Sequence, residues 1–586
     1  MRKTSLLAVI IVILISIIIY ANSLLNGFVF DDMPQVVKNQ WIIDFANIPQ
    51  VFTSSAWSFL GDNTAFHYYR PMMHVIYTLE YHLFTLNPFF WHLVNIVFHA
   101  FNAVMVFFVA SFVLGGSGAG GAGGGGGSAK GRARVLEGFP IFPFIAAVFF
   151  SVHPVTTEVV AWVAAIPELS YTAFFLLSLY LYMRATSSVD NEIGSDSGSG
   201  NFTILFRPAY IFSLLFFFLS LFCKEPAMML ILVLWAYDFF KGRRLFTLSA
   251  IVRYAPFVVL AVIYLAIRSH ALGGLAPKFS EHAYLSTFQI ILNVAPLVFK
   301  YFISLIFPMR FSPFYIFYPV FSLTETAALF SWVFVLISAA LYLYLLKKRG
   351  PALFAVTLII APLLPALYIP AFVSSVFSVR YLYLPVAGFT ILLAYGVRYF
   401  SLYLRANNER TTRAVGPLVA VLLVLFIISS IKVVQRNRVW RDNFSLWSET
   451  VALYPENYQA HLSLSSAYSK IGEVERAKES QRSSIKYNLA LKYPKKHALA
   501  ESWYNLGVLY YSTGDIDKAI DSYNAGLEVN VRPMLIRDLL NNLGNAYAEK
   551  GLIDEAISSY ERALLIDPSD TYVRHNLEAV RKWKRR

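Results

Sequence analysis

Long apolar runs alternate with short polar breaks along the first part of the chain. A bilayer-spanning helix needs about 20 mostly apolar residues. The first such run is Leu6 to Tyr20, and others lie near 89–113, 139–152, 169–183, 208–222, 226–240, 249–267, 327–346, 352–369, 384–400 and 415–431. The pattern predicts a polytopic α-helical membrane protein of about 11 spans. Arg2 and Lys3 precede the first run, a layout shared with signal peptides. Ala21-Asn22-Ser23 is a poor cleavage site, however, and many spans follow, so the run reads as a retained anchor with a cytoplasmic N-terminus. The apolar stretch 287–307 is read as re-entrant or interfacial, because a crossing there would upset the charge pattern of the loops.

That pattern is carried by five basic groups: Lys130, Arg132 and Arg134; Arg184 and Arg207; Lys241, Arg243 and Arg244; Lys347, Lys348 and Arg349; and Arg398, Arg405, Arg410 and Arg413. With the expected spans, all five fall on the N-terminal side, as positive loops retained inside require. An odd count then puts the C-terminal region outside. Two low-complexity loops, Gly115 to Gly131 and Ser187 to Gly200, read as solvated linkers. The first lacks the Lys-Ser/Thr of a phosphate loop. The sequon Asn201-Phe202-Thr203 sits on the cytoplasmic side and carries no weight.

From residue 433 the pattern changes. The first 432 residues hold 43 charged side chains and the last 154 hold 41. Residues 1–432 therefore read as a multispan membrane domain and 433–586 as a soluble one. The soluble part repeats itself. Trp503, Leu506, Gly507, Tyr510, Gly514, Ala519 and Tyr523 recur as Leu543, Gly544, Tyr547, Gly551, Ala556, Tyr560, Ala563 and Pro568, with Gly526 where Ala is usual. This is the signature of a tetratricopeptide (TPR) α-solenoid. Leu464, Tyr468, Gly472 and Ala477 make a weaker copy, and Trp447 and Pro455 a degenerate half repeat. The spacings exceed the usual period, so the connections between repeats are lengthened. Such solenoids offer a concave face to proteins or peptides.

Composition narrows the chemistry. One cysteine among 586 residues excludes a disulfide framework and a Cys-rich zinc site. Cys223 itself has no base placed beside it and reads as a packing residue. The net charge of +14 is not a nucleic-acid signal, because the excess sits in membrane-flanking loops and in Arg581 to Arg586.

Ionisable residues in an apolar setting are expensive and mark function by default. They are Asp31, Asp32, Arg70, His74, Glu80, His82, His92, His99, His153, Glu158, Glu168, Lys224, Glu225, Arg268, Arg310 and Arg380. The span order puts nearly all of them on the outer side. His99, deeper in its span, reads as a satisfied core histidine. Asp31 and Asp32 are adjacent carboxylates at a membrane boundary, where mutual repulsion raises one pKa and makes a general base available; a turn-capping pair reads equally well. Arg380 lies in Ser378-Val379-Arg380-Tyr381 at the mouth of a span. It suits a phosphate through its planar fork, or snorkels beside Tyr381 and Tyr383. Lys224 and Glu225 share a short outer turn.

Taken in order, these segments resemble the TMTC-like family, membrane proteins with C-terminal TPRs in the class of GT-C-fold polyprenyl-phosphate-sugar glycosyltransferases. The carrying stretches are Asn26-Gly27-Phe28-Val29-Phe30-Asp31-Asp32, Tyr69-Arg70-Pro71-Met72, Trp91-His92-Leu93-Val94-Asn95 with His99, His153-Pro154-Val155-Thr156-Thr157-Glu158 with Trp162, Lys224-Glu225, Arg380-Tyr381-Leu382-Tyr383-Leu384-Pro385, and the repeats. Ile166-Pro167-Glu168-Leu169 departs from the family, which often has a basic residue and then Asp there, so a role for Glu168 is not implied.

The resemblance implies an inverting transfer of a sugar from a polyprenyl-phosphate donor to a protein hydroxyl. Asp31 or Asp32, with Asp31 preferred, stands where the general base is expected. Arg380 is the first candidate for the lipid phosphate, with Lys224, Arg70 and Arg268 behind it. His153 and Glu158 would position the acceptor or a divalent cation, Mg or Mn, whose need is left open. The TPRs would hold the acceptor protein. A short chain with few repeats points to a prokaryotic plasma membrane, and to the ER membrane if the source is eukaryotic. Competing functions are a lipid-linked sugar flippase or transporter, which would want charges near mid-membrane, and a non-catalytic TPR scaffold, which would need far fewer outer charges.

Overall fold

The computed structural model describes residues 3–61, 68–115, 139–193, 203–274, 282–372, 375–407, 412–529 and 531–585. The basic residues Lys130, Arg132, Arg134 and Arg410, the Asn201 sequon, and most of the two low-complexity linkers lie outside them. The chain forms two compact units, residues 1–311 with 317–441, and residues 312–316 with 442–586. The division expected near residue 432 falls inside a helix that runs on to Val439.

The first unit is helical throughout its described residues. Its main helices are α1 (Lys3–Tyr20), α2 (Pro71–Phe84), α3 (Pro88–Leu114), α4 (Ile141–Val152), α5 (Ile166–Ile193), α6 (Pro208–Cys223), α7 (Leu230–Phe240), α8 (Leu248–Leu272), α9 (Thr287–Ile306), α10 (Thr326–Lys348), α11 (Pro351–Ile360), α12 (Tyr383–Asn407) and α13 (Thr412–Val439). Eight of these, α1, α3, α5, α8, α9, α10, α12 and α13, are long and apolar enough to cross a membrane. The chain is a multi-pass membrane protein.

Two details differ from the expected spans. First, α4, α6, α7 and α11 are short. Each has a proline near one end: His153-Pro154 after α4, Lys224-Glu225-Pro226 between α6 and α7, and Pro362 after α11. Proline cannot continue the backbone ladder, so these helices end early. Second, α9, read as re-entrant, is itself long enough to cross. Its contacts run along its length. Leu292 O accepts a hydrogen bond from Trp332 Nε1 at 3.2 Å, and Phe299 packs on Phe330 and Phe334 in the first turns of α10. Near its other end, Leu305 O meets His153 Nε2 at 3.1 Å and Tyr301 packs on Phe377.

Polar groups inside the bundle are satisfied across helices, as lipid demands. Ser16 of α1 donates to Ser151 of α4 at 2.9 Å. His99 of α3 bonds the Tyr383 hydroxyl of α12 at 2.8 Å and the Ser151 carbonyl at 3.1 Å. It is the satisfied core histidine expected. At Gly388 of α12 an added Cβ would lie 2.6 Å from Ala355 O, so only glycine allows the approach to α11.

The second unit is a TPR solenoid of α14 (Asn443–Leu453), α15 (Tyr458–Lys470), α16 (Val474–Leu489), α17 (Lys496–Ser512), α18 (Ile516–Leu527), α19 (Pro533–Glu549), α20 (Ile553–Ile566) and α21 (Thr571–Lys584). Helices pair as α15 with α16, α17 with α18 and α19 with α20. Each pair turns at a glycine with φ of +81°, Gly472, Gly514 and Gly551, a region that penalises any Cβ. Gly544 is obligatory for a second reason. A Cβ there would sit 2.6 Å from the Tyr560 ring, which fills the gap between paired helices. The lengthened connection after α16 is tied by Asn488, whose side chain accepts from Lys495 N at 2.7 Å and donates to Lys495 O at 3.1 Å.

Candidate functional site

The site is built on breaks between helices of the first unit. After α1 the chain runs without regular structure through Asn26–Phe30 before Asp31 and Asp32. Phe30 adopts φ +52°, costly for an aromatic residue and of the kind that functional sites retain. Its ring stacks on Trp162 at 5.5 Å, and Trp162 stacks on the buried Trp440 at 5.7 Å. Asn95 of α3 holds the loop carrying Trp162, donating to the carbonyls of Trp162 at 2.9 Å and Val160 at 3.3 Å. The Trp-His-Leu-Val-Asn stretch thus acts by bracing this loop.

The two aspartates part ways. Asp32 is fully buried, and both its oxygens are taken: Oδ1 accepts from Ala164 N at 2.7 Å and Oδ2 from Val29 N at 2.9 Å. It pins the first loop to the loop after α4. Asp31 is partly exposed, and its carboxyl makes no hydrogen bond among the described residues. Burial pushes the Asp31 pKa up to about 6, with the positive charge of Arg380 pulling against it. Asp31 is therefore ionised at neutral pH and basic enough to accept a proton.

Arg380 sits in the turn Val379–Leu382 ahead of α12. Its Nη1 lies 3.3 Å from Glu158 Oε1 and its Nε 3.5 Å from Glu168 Oε1. Glu168 also binds Lys224 Nζ at 2.6 Å, so one carboxylate answers two cations. This is the residue whose role the family comparison left out. It is 3% exposed and stands in the first turn of α5. Burial, aided by Arg70 and Arg380, lowers the Lys224 pKa to about 8, while Glu168 opposes the shift. Burial raises Glu158 to about 7 against the pull of Arg380. Its Oε1 accepts from Ser378 Oγ at 3.3 Å, and its Oε2 is buried with no partner.

Beside this network lies a cavity of about 290 Å³. Arg70, Lys224, Arg268 and the acid Glu225 line it together with apolar residues, among them Leu265, Met228, Pro362, Pro365 and Phe372. Arg268 approaches Glu225 at 4.0 Å. Arg70 forms no ion pair among the described residues. Its guanidinium lies over the Tyr68 ring at 4.7 Å and its Nε is buried without a hydrogen-bond partner. Arg380 does not line the cavity, although its neighbour Tyr381 does, with Lys224 Nζ 4.5 Å over that ring. The phosphate candidates read from sequence thus have different surroundings. Arg70 offers the uncommitted donor, and Arg380 is held between two carboxylates.

His153 is engaged elsewhere. Its Nε2 bonds Leu305 O at 3.1 Å and its Nδ1 accepts from Val155 N at 3.3 Å. Burial lowers its pKa to about 4, so the ring is neutral with both nitrogens engaged. It has none left for a metal or an acceptor. Among the described residues no three His, Cys, Asp or Glu side chains group as metal ligands. Cys223 is buried, in keeping with a packing role.

Comparison with known proteins bears on both units. Tetratricopeptide repeat models match residues 458–490, 500–531 and 538–570. Protein O-mannosyl-transferase TMTC4 of Mus musculus is 25% identical over 487 residues, covering 77% of this chain and 62% of its own. Protein O-mannosyl-transferase F38B6.6 of Caenorhabditis elegans is 26% identical, with 83% and 63% covered. Protein O-mannosyl-transferase TMTC1 of Homo sapiens is 24% identical, with 85% and 56% covered. The resemblance to the TMTC-like proteins thus holds over most of the chain, which spans a little under two thirds of the length of these relatives.

Proposed function

We propose that this protein is a GT-C-type membrane glycosyltransferase that moves a sugar from a polyprenyl phosphate to a protein hydroxyl. The names of its relatives point to mannose as the sugar and to protein O-linkage. The observation that carries the reading is Asp31, with no hydrogen bond to its carboxyl among the described residues and within reach of the Arg380 charge, beside a cavity lined by three cations and by apolar side chains. A phosphate with a prenyl tail calls for that same combination.

In this reading, Arg70, Lys224 and Arg268 hold the donor phosphate, and the prenyl chain leaves past Leu265, Pro362 and Pro365. Asp31 takes the proton from the acceptor hydroxyl as its oxygen attacks the anomeric carbon. The bond from that carbon to the phosphate oxygen breaks, and the configuration inverts in one displacement. Negative charge growing on the leaving phosphate is met by cations fixed before the reaction, which is the efficient way to stabilise it. Glu158, partly protonated at neutral pH, offers Oε2 to orient the acceptor. The repeat unit holds the acceptor protein. The basic loops favour an odd number of crossings, with the repeats outside the cytoplasm. The same cations would serve a flippase, but that reading gives Asp31 no task.

The test supplies purified protein with radiolabelled mannose on a polyprenyl phosphate and a Ser/Thr-containing acceptor protein. Transfer to hydroxyl groups with inverted configuration is the expected result. Absence of transfer from every lipid-linked sugar tried would overturn the reading.

A further inference from the structure

The repeat unit holds a cavity of about 570 Å³ of its own, away from the face that a solenoid's first helices line. Helices α16 and α18 wall it and α17 forms its floor. Helices α15, α17 and α19, the first of each pair, pack side by side. The cavity opens between the second helices of two successive pairs, on the convex side. The concave face expected from sequence is therefore not where this groove lies.

Its chemistry is asymmetric. Ile485, Trp503, Leu506 and Ala525 give an apolar floor, and Arg482, Lys486 and Lys518 ring it. Among the described lining residues Asp521 is the only acid. The cations converge on one ring. Arg482 Nη2 donates to the Tyr510 hydroxyl at 2.7 Å, and the Arg482, Lys478 and Lys518 charges lie 5.8, 5.2 and 5.5 Å from the Tyr510 centroid. Lys478 is buried and answered by Glu475 at 3.0 Å, and Lys518 by Asp515 at 3.6 Å. Arg482 and Lys486 are exposed and carry no ion pair among the described residues.

We infer that this convex groove binds an acidic, extended peptide segment, its carboxylates on Arg482, Lys486 and Lys518 and an apolar side chain on Trp503 and Leu506. Charge complementarity carries the choice of occupant, since like-charged peptides would be repelled from the same rim. The inference deepens the acceptor-binding reading and rests on it for its place in the reaction, but the binding itself is measured without sugar transfer.

The experiment uses the full chain in detergent and a short fluorescent peptide of alternating Glu and Leu, followed by polarisation. Gln-for-Glu and Lys-for-Glu peptides are the comparisons. The acidic peptide should bind, should weaken as salt rises, and should lose about tenfold or more in affinity with Arg482→Glu or Lys486→Glu. The milder Arg482→Gln should lose less, with unchanged thermal melting, and Arg562→Glu on another helix should bind as wild type. Equal binding of the Gln peptide, or indifference to both charge reversals, overturns the groove. If the peptide binds through these residues and no sugar is ever transferred, the groove stands and the enzyme reading falls. If transfer proceeds and the reversals leave peptide binding intact, the reverse holds.

Discussion

The first unit holds two buried charge clusters, at opposite ends of the same helices. Glu168 and Tyr182 lie on α5, about 21 Å of helix apart, and Arg268 and Arg253 lie on α8 at a similar separation. At one end Asp238 is wholly buried. Its Oδ1 accepts from Arg243 at 2.6 Å, and its Oδ2 accepts from Arg253 at 3.2 Å and from the Tyr182 and Tyr254 hydroxyls at 2.7 Å. Every oxygen lone-pair direction that matters is used. At the other end, Arg70 Nε and Glu158 Oε2 are buried with no hydrogen-bond partner among the described residues, and the Asp31 carboxyl has none among them either. Buried polar networks are stabilising when complete and costly when not. The first cluster is therefore architecture, and the second is the one the proposed reaction would use.

The widest gap between the clusters should appear in Asp31→Asn. Loss of a general base should cut sugar transfer by roughly 10²- to 10⁴-fold, while the melting temperature stays within error. Initial rates from a polyprenyl-phosphate-sugar donor, alongside a thermal melt, measure both. Full transfer by Asp31→Asn would mean that the open cluster is as structural as the closed one. Asp238→Asn should do the opposite. It leaves two arginines without their counter-ion, and breaking a buried ion pair costs about 3–5 kcal/mol. The folded yield and melting temperature should drop, and transfer per folded molecule should not. A stable Asp238→Asn protein with lost transfer would erase the distinction.

Much of this was legible in the chain, for identifiable reasons. Long apolar runs mark membrane helices, so every helix from α1 to α13 except α2 stood out, as did the TPR glycines, whose missing Cβ atoms are structural requirements. The choice between Asp31 and Asp32 was not legible. It depends on the Ala164 amide, far away in sequence, which consumes one oxygen of Asp32. Arg380 came first as a phosphate ligand from its place at the mouth of a span and its planar fork. Its two carboxylate partners, Glu158 and Glu168, come from another loop and another helix. Asp238 went unnoticed in an apolar run because three of its four partners, Tyr182, Arg253 and Tyr254, lie on other helices.

A smaller contrast concerns the cavity. Arg70→Gln removes a lining cation that forms no ion pair among the described residues, so no described acid loses a direct partner. Charge-assisted hydrogen bonds are worth about 1.5–3 kcal/mol, which predicts a rise of roughly ten- to hundredfold in the donor KM. Glu168→Gln should behave differently, lowering the melting temperature because Lys224 and Arg380 both lose their partner. Donor titrations and melts on the two variants separate the roles. An unchanged KM in Arg70→Gln would return the phosphate to Arg380.

The gentlest test is the pH profile, because it alters no residue. Asp31, raised to about 6, must be ionised to accept a proton, so transfer should climb with pH through about 6 and then level. Lys224, lowered to about 8, must be protonated to hold the phosphate, so donor affinity should fall as pH passes about 8. The result is a bell with limbs near those two values. Each limb has its own control. Lys224→Arg keeps a charge that does not titrate in this range and should flatten the alkaline limb. Glu158→Gln should leave the acid limb where it is; if the limb disappears instead, the group at about 7, not Asp31, is the base. The Asp238 cluster should contribute no limb, since it lies about 21 Å of helix away from the reacting groups. A third inflection that moved with Arg243→Lys would show that the closed cluster takes part after all.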